Sequence, residues 1–166
     1  LLCAALAAAV SGGGGPLLAA PGDFTRYHTY DEMTAALKAA VAAHPGLAQI
    51  VSLGKTREGR DIWAVEIASA SGPPVDSRPG LLVAAAFEGD HLIGSELALF
   101  MVDALTKGYA TDAAIKQRLD TGVVYVVPRV NADGAELMFA PVKAPRRTNT
   151  TSFDDDNDGR VDEDGP

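Results

Sequence analysis

Glu88 and His91 stand three residues apart, where the apolar run Leu81–Phe87 ends and a helical pattern begins. A carboxylate and an imidazole are both zinc ligands, with bonds of about 2.0–2.2 Å. On spacing alone such a pair is a common coincidence. Its position gives it weight, because the carboxyl end of a buried strand is where open α/β sheets bind ligands. Asp90, lying between them, is expected to be a solvated turn residue, with a role at the metal, direct or through a ligand, as the alternative.

A second constellation is Asp154-Asp-Asp156-Asn-Asp158-Gly159-Arg-Val-Asp162-Glu-Asp164. Asp at alternate positions followed by Gly for a sharp turn is the start of a calcium loop. Asp154, Asp156 and Asp158 would supply side-chain oxygens, Arg160 a backbone carbonyl, and Asp162 a ligand or water contact. An EF-hand has Glu in twelfth place, where this chain has Gly165, so the loop is EF-like, with Asp164 or residues beyond 166 as its expected closing ligand. The plainer alternative is a solvated acidic tail, in which so many carboxylates would repel one another without a cation.

These residues need elements to hold them. Thr29-Tyr-Asp-Glu32 fits a capping box, and Met33, Leu37, Ala40, Val41 and His44 follow at helical spacing until Pro45-Gly46. Gln49–Gly54 and the alternating Arg60–Ile67 read as the two strands of a hairpin. Leu81–Phe87 reads as a central buried strand, and Gly122–Val127 as another. Between them, Ile93, Leu97, Phe100, Met101, Ala104 and Leu105 share one helical face, and 111–119 is a shorter helix. Asn131-Ala-Asp-Gly134 has the composition of a tight turn, with Asn131 and Asp133 forming the turn rather than acting in catalysis. Arg129 follows a buried strand and is given a scaffold role beside a carboxylate; His28 and His44 are structural or solvent-facing. The order implies an α/β sandwich with a mixed sheet.

With 166 residues, 47% of them hydrophobic, the chain can build one real core. The net charge of −8 is local: residues 152–166 hold seven acids and one base, leaving 15 acids against 13 bases elsewhere. No basic patch points to nucleic acid. The single cysteine, Cys3, excludes an internal disulfide. Residues 1–22, small and apolar before the glycine run Gly12–Gly15, read as a truncated signal peptide and linker, too short to span a bilayer. A disordered Ala/Gly tail is the alternative. The signal reading implies a secreted or periplasmic protein.

Four segments in order resemble the zinc carboxypeptidase family (carboxypeptidase A-like). They are Tyr27–Met33 with Ser52–Arg60, Glu88–Glu96, Val127–Gly134, and Arg146-Arg-Thr-Asn149. The resemblance covers roughly residues 24–153. It implies a mixed-sheet α/β/α sandwich of the zinc carboxypeptidase type, of which residues 23–166 are the incomplete N-terminal portion. In the family, a His-x-x-Glu pair and a later His hold zinc, a Glu is the general base, and an Arg stabilises the oxyanion. Here Glu88 takes the position of the His and His91 that of the Glu, so the ligand types are exchanged. Either the exchanged pair still holds zinc, or the site has drifted and binds metal weakly or not at all. Arg146 best matches the polarising Arg, with Arg147 as the fallback. The second zinc His, the base and the substrate-pocket residues would lie beyond residue 166, leaving this portion inactive by itself. The implied activity is zinc-dependent removal of a C-terminal residue from a peptide or peptidoglycan stem. The alternative is a non-catalytic exported module that binds peptide or glycan with a calcium-stabilised loop.

Overall fold

The computed structural model describes residues 26–142 together with Pro145, Arg147 and Gly159. Helix α1, Tyr30–Ala43, begins where the sequence places it. Thr29 is the N-cap, its side chain accepting from Glu32 N while the Glu32 carboxylate accepts from Thr29 N. Met33 and Leu37, one turn apart on the inner face, are fully buried. Trp63 Nε1 donates to Thr34 Oγ1 and fixes the helix against the hairpin below it.

That hairpin is β1, Ala48–Lys55, antiparallel to β2, Asp61–Ile67. Its turn needs a residue at φ +84°, which Gly59 adopts without the steric cost a Cβ would bring. Strand β3 spans Gly80–Ala84 and β4 spans Val123–Val127. The four strands lie in the order β1-β2-β4-β3, with β2/β4 antiparallel and β3/β4 parallel, so the sheet is mixed as expected. Helices α2, Leu92–Gly108, and α3, Ala113–Thr121, occupy the crossover from β3 to β4. Asp112 caps α3, accepting from the N–H groups of Ala114 and Ile115.

Val65 pairs with Val126 and Ile67 with Val124, which puts all four on one sheet face. Met33 and Leu37 of α1, Leu99 and Val102 of α2 and Leu119 of α3 close over that face to make the core. Each fully buried side chain of this size contributes about 1.5–3 kcal/mol.

Three expectations change. Leu81–Phe87 is not a buried central strand: β3 is at the edge of the described sheet, Leu81 and Leu82 are 54% and 65% exposed, and the strand ends at Ala84. A continuous apolar run cannot show which neighbour lies on each side of it. On α2 the core-facing stripe is Leu92, Ser95, Leu99, Val102 and Thr106, whereas Ile93, Leu97 and Phe100 are exposed. Met101 and Leu105 of the expected face do pack against the core, so the buried arc is rotated from the one that periodicity marks on a helix apolar around most of its circumference. Finally, Asn131–Gly134 is the start of a short helix, α4, Ala132–Glu136, with Asn131 as N-cap accepting from Gly134 N.

Candidate metal centre

The site is built where β3 leaves the sheet. Ala85 N still bonds to Val127 O, but the carbonyls of Ala85 and Ala86 turn to accept from Val130 N and Asn131 N. Ala86 adopts φ +50°, an uncommon conformation for a residue with a Cβ, costing about 1–2 kcal/mol. The loop then closes with His91 N donating to Glu88 O, and α2 starts immediately. Gly94 permits this: a Cβ there would meet Ala85 Cβ at 3.3 Å and Ala86 N at 3.4 Å. His91 occupies the N-cap of α2 and makes no side-chain cap bond, so its imidazole projects from the turn.

Glu88 Oε2 lies 3.4 Å from His91 Nδ1, and Asp90 Oδ1 lies 4.0 Å from His91 Nε2. One donor atom from each of the three residues lies within 4.8 Å of the others. His91 is 61% exposed, while the Asp90 side chain is 19% exposed. Asp90 Oδ1 itself is buried and has no hydrogen-bond partner. Its other oxygen accepts from Arg147 Nε at 3.2 Å, and the same nitrogen is 3.8 Å from Glu88 Oε2. This hydrogen bond to Asp90, together with the charges of Asp90 and Glu88, raises the pKa of Arg147. Asn131 Nδ2 donates to Arg147 O, tying the arginine's backbone to the cap of α4. A cavity of about 350 Å³ adjoins the group, lined by Tyr27, Asp90, His91, Leu92, Ile93, Met138 and Phe139.

A buried polar network backs this loop. Glu96, on α2, accepts from His28 N at 2.9 Å and pairs with His28 Nδ1 at 2.7 Å. Arg129, 1% exposed, donates to Ser95 Oγ and His28 O and sits over the Phe139 ring. Burial lowers the Arg129 pKa, and the charges of Glu136 and Glu96 oppose that shift. Arg129 thus joins the α1 entry, α2 and the segment after β4, but through a hydroxyl and a carbonyl rather than the carboxylate expected, the acids Glu136 and Glu96 acting on it only through their charge. His28 is buried, and His44 is the C-cap of α1.

The structure thus brings Glu88 and His91 together, and adds Asp90, which is not the solvated turn residue expected from the sequence. The Asp90 side chain is partly buried, and it meets Arg147 across 57 residues of sequence, a contact that no local spacing marks. Arg146 lies outside the described residues, as do Asp154, Asp156, Asp158, Asp162 and Asp164. Gly159, within that acidic loop, has φ +90°.

The donor set suits zinc. Oxygen and imidazole nitrogen are both zinc ligands, and adjacent ligands around a tetrahedral ion with bonds of about 2.0 Å stand about 3.3 Å apart. The 3.4 Å separation of Glu88 Oε2 and His91 Nδ1 matches that edge. The orphaned, buried Asp90 Oδ1 is the kind of group a cation satisfies.

The zinc carboxypeptidase family model matches residues 33–159. The zinc carboxypeptidase of Saccharothrix mutabilis subsp. capreolus is 32% identical over 121 residues, covering 72% of this chain and 27% of the relative. Carboxypeptidase D of Homo sapiens is 30% identical over 111 residues, covering 67% of this chain and 8% of the relative. The chain therefore spans about a quarter or less of these relatives' lengths. Among solved structures, carboxypeptidase A from Helicoverpa armigera superposes with a TM-score of 0.68 at 21% identity, over 89% of this chain and 34% of that one. The matched segment contains the hairpin, β3, the Glu88–His91 loop and β4, and on this ground the chain belongs to the zinc carboxypeptidase family.

Proposed function

We propose that this chain contributes the first metal-binding loop of a metallocarboxypeptidase-like hydrolase, with Glu88 and His91 holding zinc in exchanged roles. The observation that carries the reading is the 3.4 Å approach of Glu88 Oε2 to His91 Nδ1 at the carboxyl end of β3. Bound there, zinc would supply Lewis-acid polarisation of a carbonyl and a water of lowered pKa. The chain's own residues hold the ligands in register: Ala86 turns the backbone, Gly94 lets α2 approach, and the His28–Glu96–Arg129 network fixes the helix beneath.

The substrate class that fits the family is a peptide with a free C-terminus, and a peptidoglycan stem offers the same chemistry. Arg146 would stabilise the oxyanion. An exported location agrees with the apolar residues 1–22, and no described helix is long and apolar enough to cross a membrane. Calcium binding by Asp154, Asp156, Asp158, Asp162 and Asp164 is a separate proposal. Calorimetry on Asp156→Ala and Asp158→Ala tests it: binding should vanish in both, and an unchanged trace refutes the loop.

A second reading has an observation of its own. Arg147 Nε lies 3.2 Å from Asp90 and 3.8 Å from Glu88, so a guanidinium offsets one of the two negative charges without a metal. On that reading the module binds peptide or glycan and does no chemistry. Metal analysis of the full chain separates the two. One zinc per chain, lost in Glu88→Ala and in His91→Ala, supports the hydrolase; a parent protein that takes up no zinc overturns it.

A further inference from the structure

We infer that Asp90 is a third ligand to the metal held by Glu88 and His91, so that one four-residue loop supplies three donors. The inference rests on the zinc reading above and goes beyond it, because Asp90 lies between the exchanged pair and has no part in the metal motif of the sequence.

Three observations converge on Asp90. Its Oδ1 is buried and unpartnered, although buried carboxylate oxygens are rarely left without a donor. That same oxygen faces His91 Nε2 at 4.0 Å, within a group whose donor atoms are mutually within 4.8 Å. The other oxygen, Oδ2, accepts from Arg147 Nε at 3.2 Å, and Arg147 is itself held through its carbonyl by Asn131 Nδ2. One oxygen is thus committed to an orienting partner while the other remains available. Ligating carboxylates are commonly fixed by such an outer hydrogen bond.

The local backbone supports the same role. Ala86 at φ +50° and the close packing of Gly94 against Ala85 force the chain to turn within a few residues. Strained backbone of this kind clusters at ligand sites. His91 is exposed, and its two nitrogens face the two carboxylates from opposite sides of the ring, Nδ1 toward Glu88 and Nε2 toward Asp90. An exposed imidazole reorients readily, so one nitrogen can serve a shared ion.

Two carboxylates and one imidazole form a harder, more oxygen-rich set than a set of two imidazoles and one carboxylate. Such a set narrows the preference for zinc over manganese, because carboxylate ligands suit Mn²⁺.

The test measures zinc affinity by competition with a chromophoric chelator, and the visible absorption of the cobalt-loaded chain, for the parent, Asp90→Asn, Glu88→Gln, His91→Ala and Arg147→Gln. Asp90→Asn should lose at least about tenfold in zinc affinity and alter the cobalt spectrum, as Glu88→Gln does. Arg147→Gln should lose less than Asp90→Asn. If Glu88→Gln and His91→Ala lose affinity while Asp90→Asn keeps both affinity and spectrum, the zinc reading stands and the third-ligand inference falls. If Arg147→Gln loses as much as Asp90→Asn, Asp90 serves only its arginine and the inference falls again. A parent chain that binds no zinc overturns the underlying reading and the inference with it. Circular dichroism of each variant separates lost ligation from lost fold, and a misfolded Asp90→Asn is replaced by Asp90→Ser.

Discussion

Arg60 Nη1 donates to Asp133 Oδ1 at 2.7 Å although 73 residues separate them. The same carboxylate accepts from Thr56 Oγ1 and from Glu58 N, so one buried side chain of α4 holds the whole β1–β2 turn. Burial pushes the Asp133 pKa up, but the bonds from Thr56, Arg60 and Glu58 outweigh it and leave it lowered. Asp133→Ala strands those donors. Arg60 is partly exposed and keeps Glu58, which discounts the loss. The expected cost is about 2–3 kcal/mol in urea unfolding, with Asp133→Asn costing less because one acceptor survives. A midpoint shift equivalent to under about 0.5 kcal/mol for the alanine variant would show that the turn does not depend on this carboxylate.

Gly94 sets how closely α2 approaches the metal loop. A methyl there requires Ala85 and the strained Ala86 to yield by a few tenths of an ångström, while alanine gains about 1 kcal/mol of helix propensity over glycine. These effects oppose each other, so Gly94→Ala should change stability by less than about 1 kcal/mol. Gly94→Val adds bulk with no such offset and should cost about 1–3 kcal/mol. It should also weaken zinc binding, because the loop carrying Glu88 and His91 must move. Retained zinc affinity in a destabilised Gly94→Val protein would show that the loop and the helix are uncoupled.

Glu96 is the hub beneath the site, accepting twice from His28 while Arg129 contributes charge nearby. Glu96→Gln keeps one acceptor and should lower stability by about 1–3 kcal/mol. Glu96→Ala should cost more, since it leaves a buried guanidinium and imidazole with less compensation. Equilibrium denaturation of both variants gives the order; equal losses would mean that the packing of the side chain, not its charge, matters.

Much of this architecture is legible in the chain. The capping box at Thr29 and Glu32, the alternation in β2 and the paired acid and imidazole after β3 are local patterns, each enforced by neighbours within a few residues. What the pattern could not show is set by distant partners. Leu81 and Leu82 are apolar yet exposed because β3 ends the described sheet. The inner face of α2 is chosen by the sheet, not by the helix, whose apolar residues surround most of its axis. Asp90 meets Arg147, far along the sequence, through one carboxylate oxygen, a contact that no local pattern marks.

Acid should loosen this fold through two partly exposed carboxylates on helices, Glu32 and Asp120. Glu32 is held down to about 2 from its ordinary 4.5, first by Arg26 and then by the backbone and hydroxyl of Thr29. Asp120 is held down to about 2 from 3.8 by Lys116 and then Tyr109. In both, the unfolded chain binds protons at a higher pH than the folded one. Between about pH 4.5 and about pH 2 the unfolded state therefore carries more protons, and stability falls as pH falls. Above that window the contribution is fully present; below it, it is gone. Glu32→Gln removes one of the two titrations, so the gap in denaturant midpoint between parent and variant should be widest near pH 6 and shrink toward about pH 2. Because Arg26 acts on Glu32 at the surface, high salt should shrink that gap as well. A gap that stays constant across the pH range would show that the Glu32 carboxylate titrates alike in the folded and unfolded chains, and would remove the capping box as the source of the acid sensitivity.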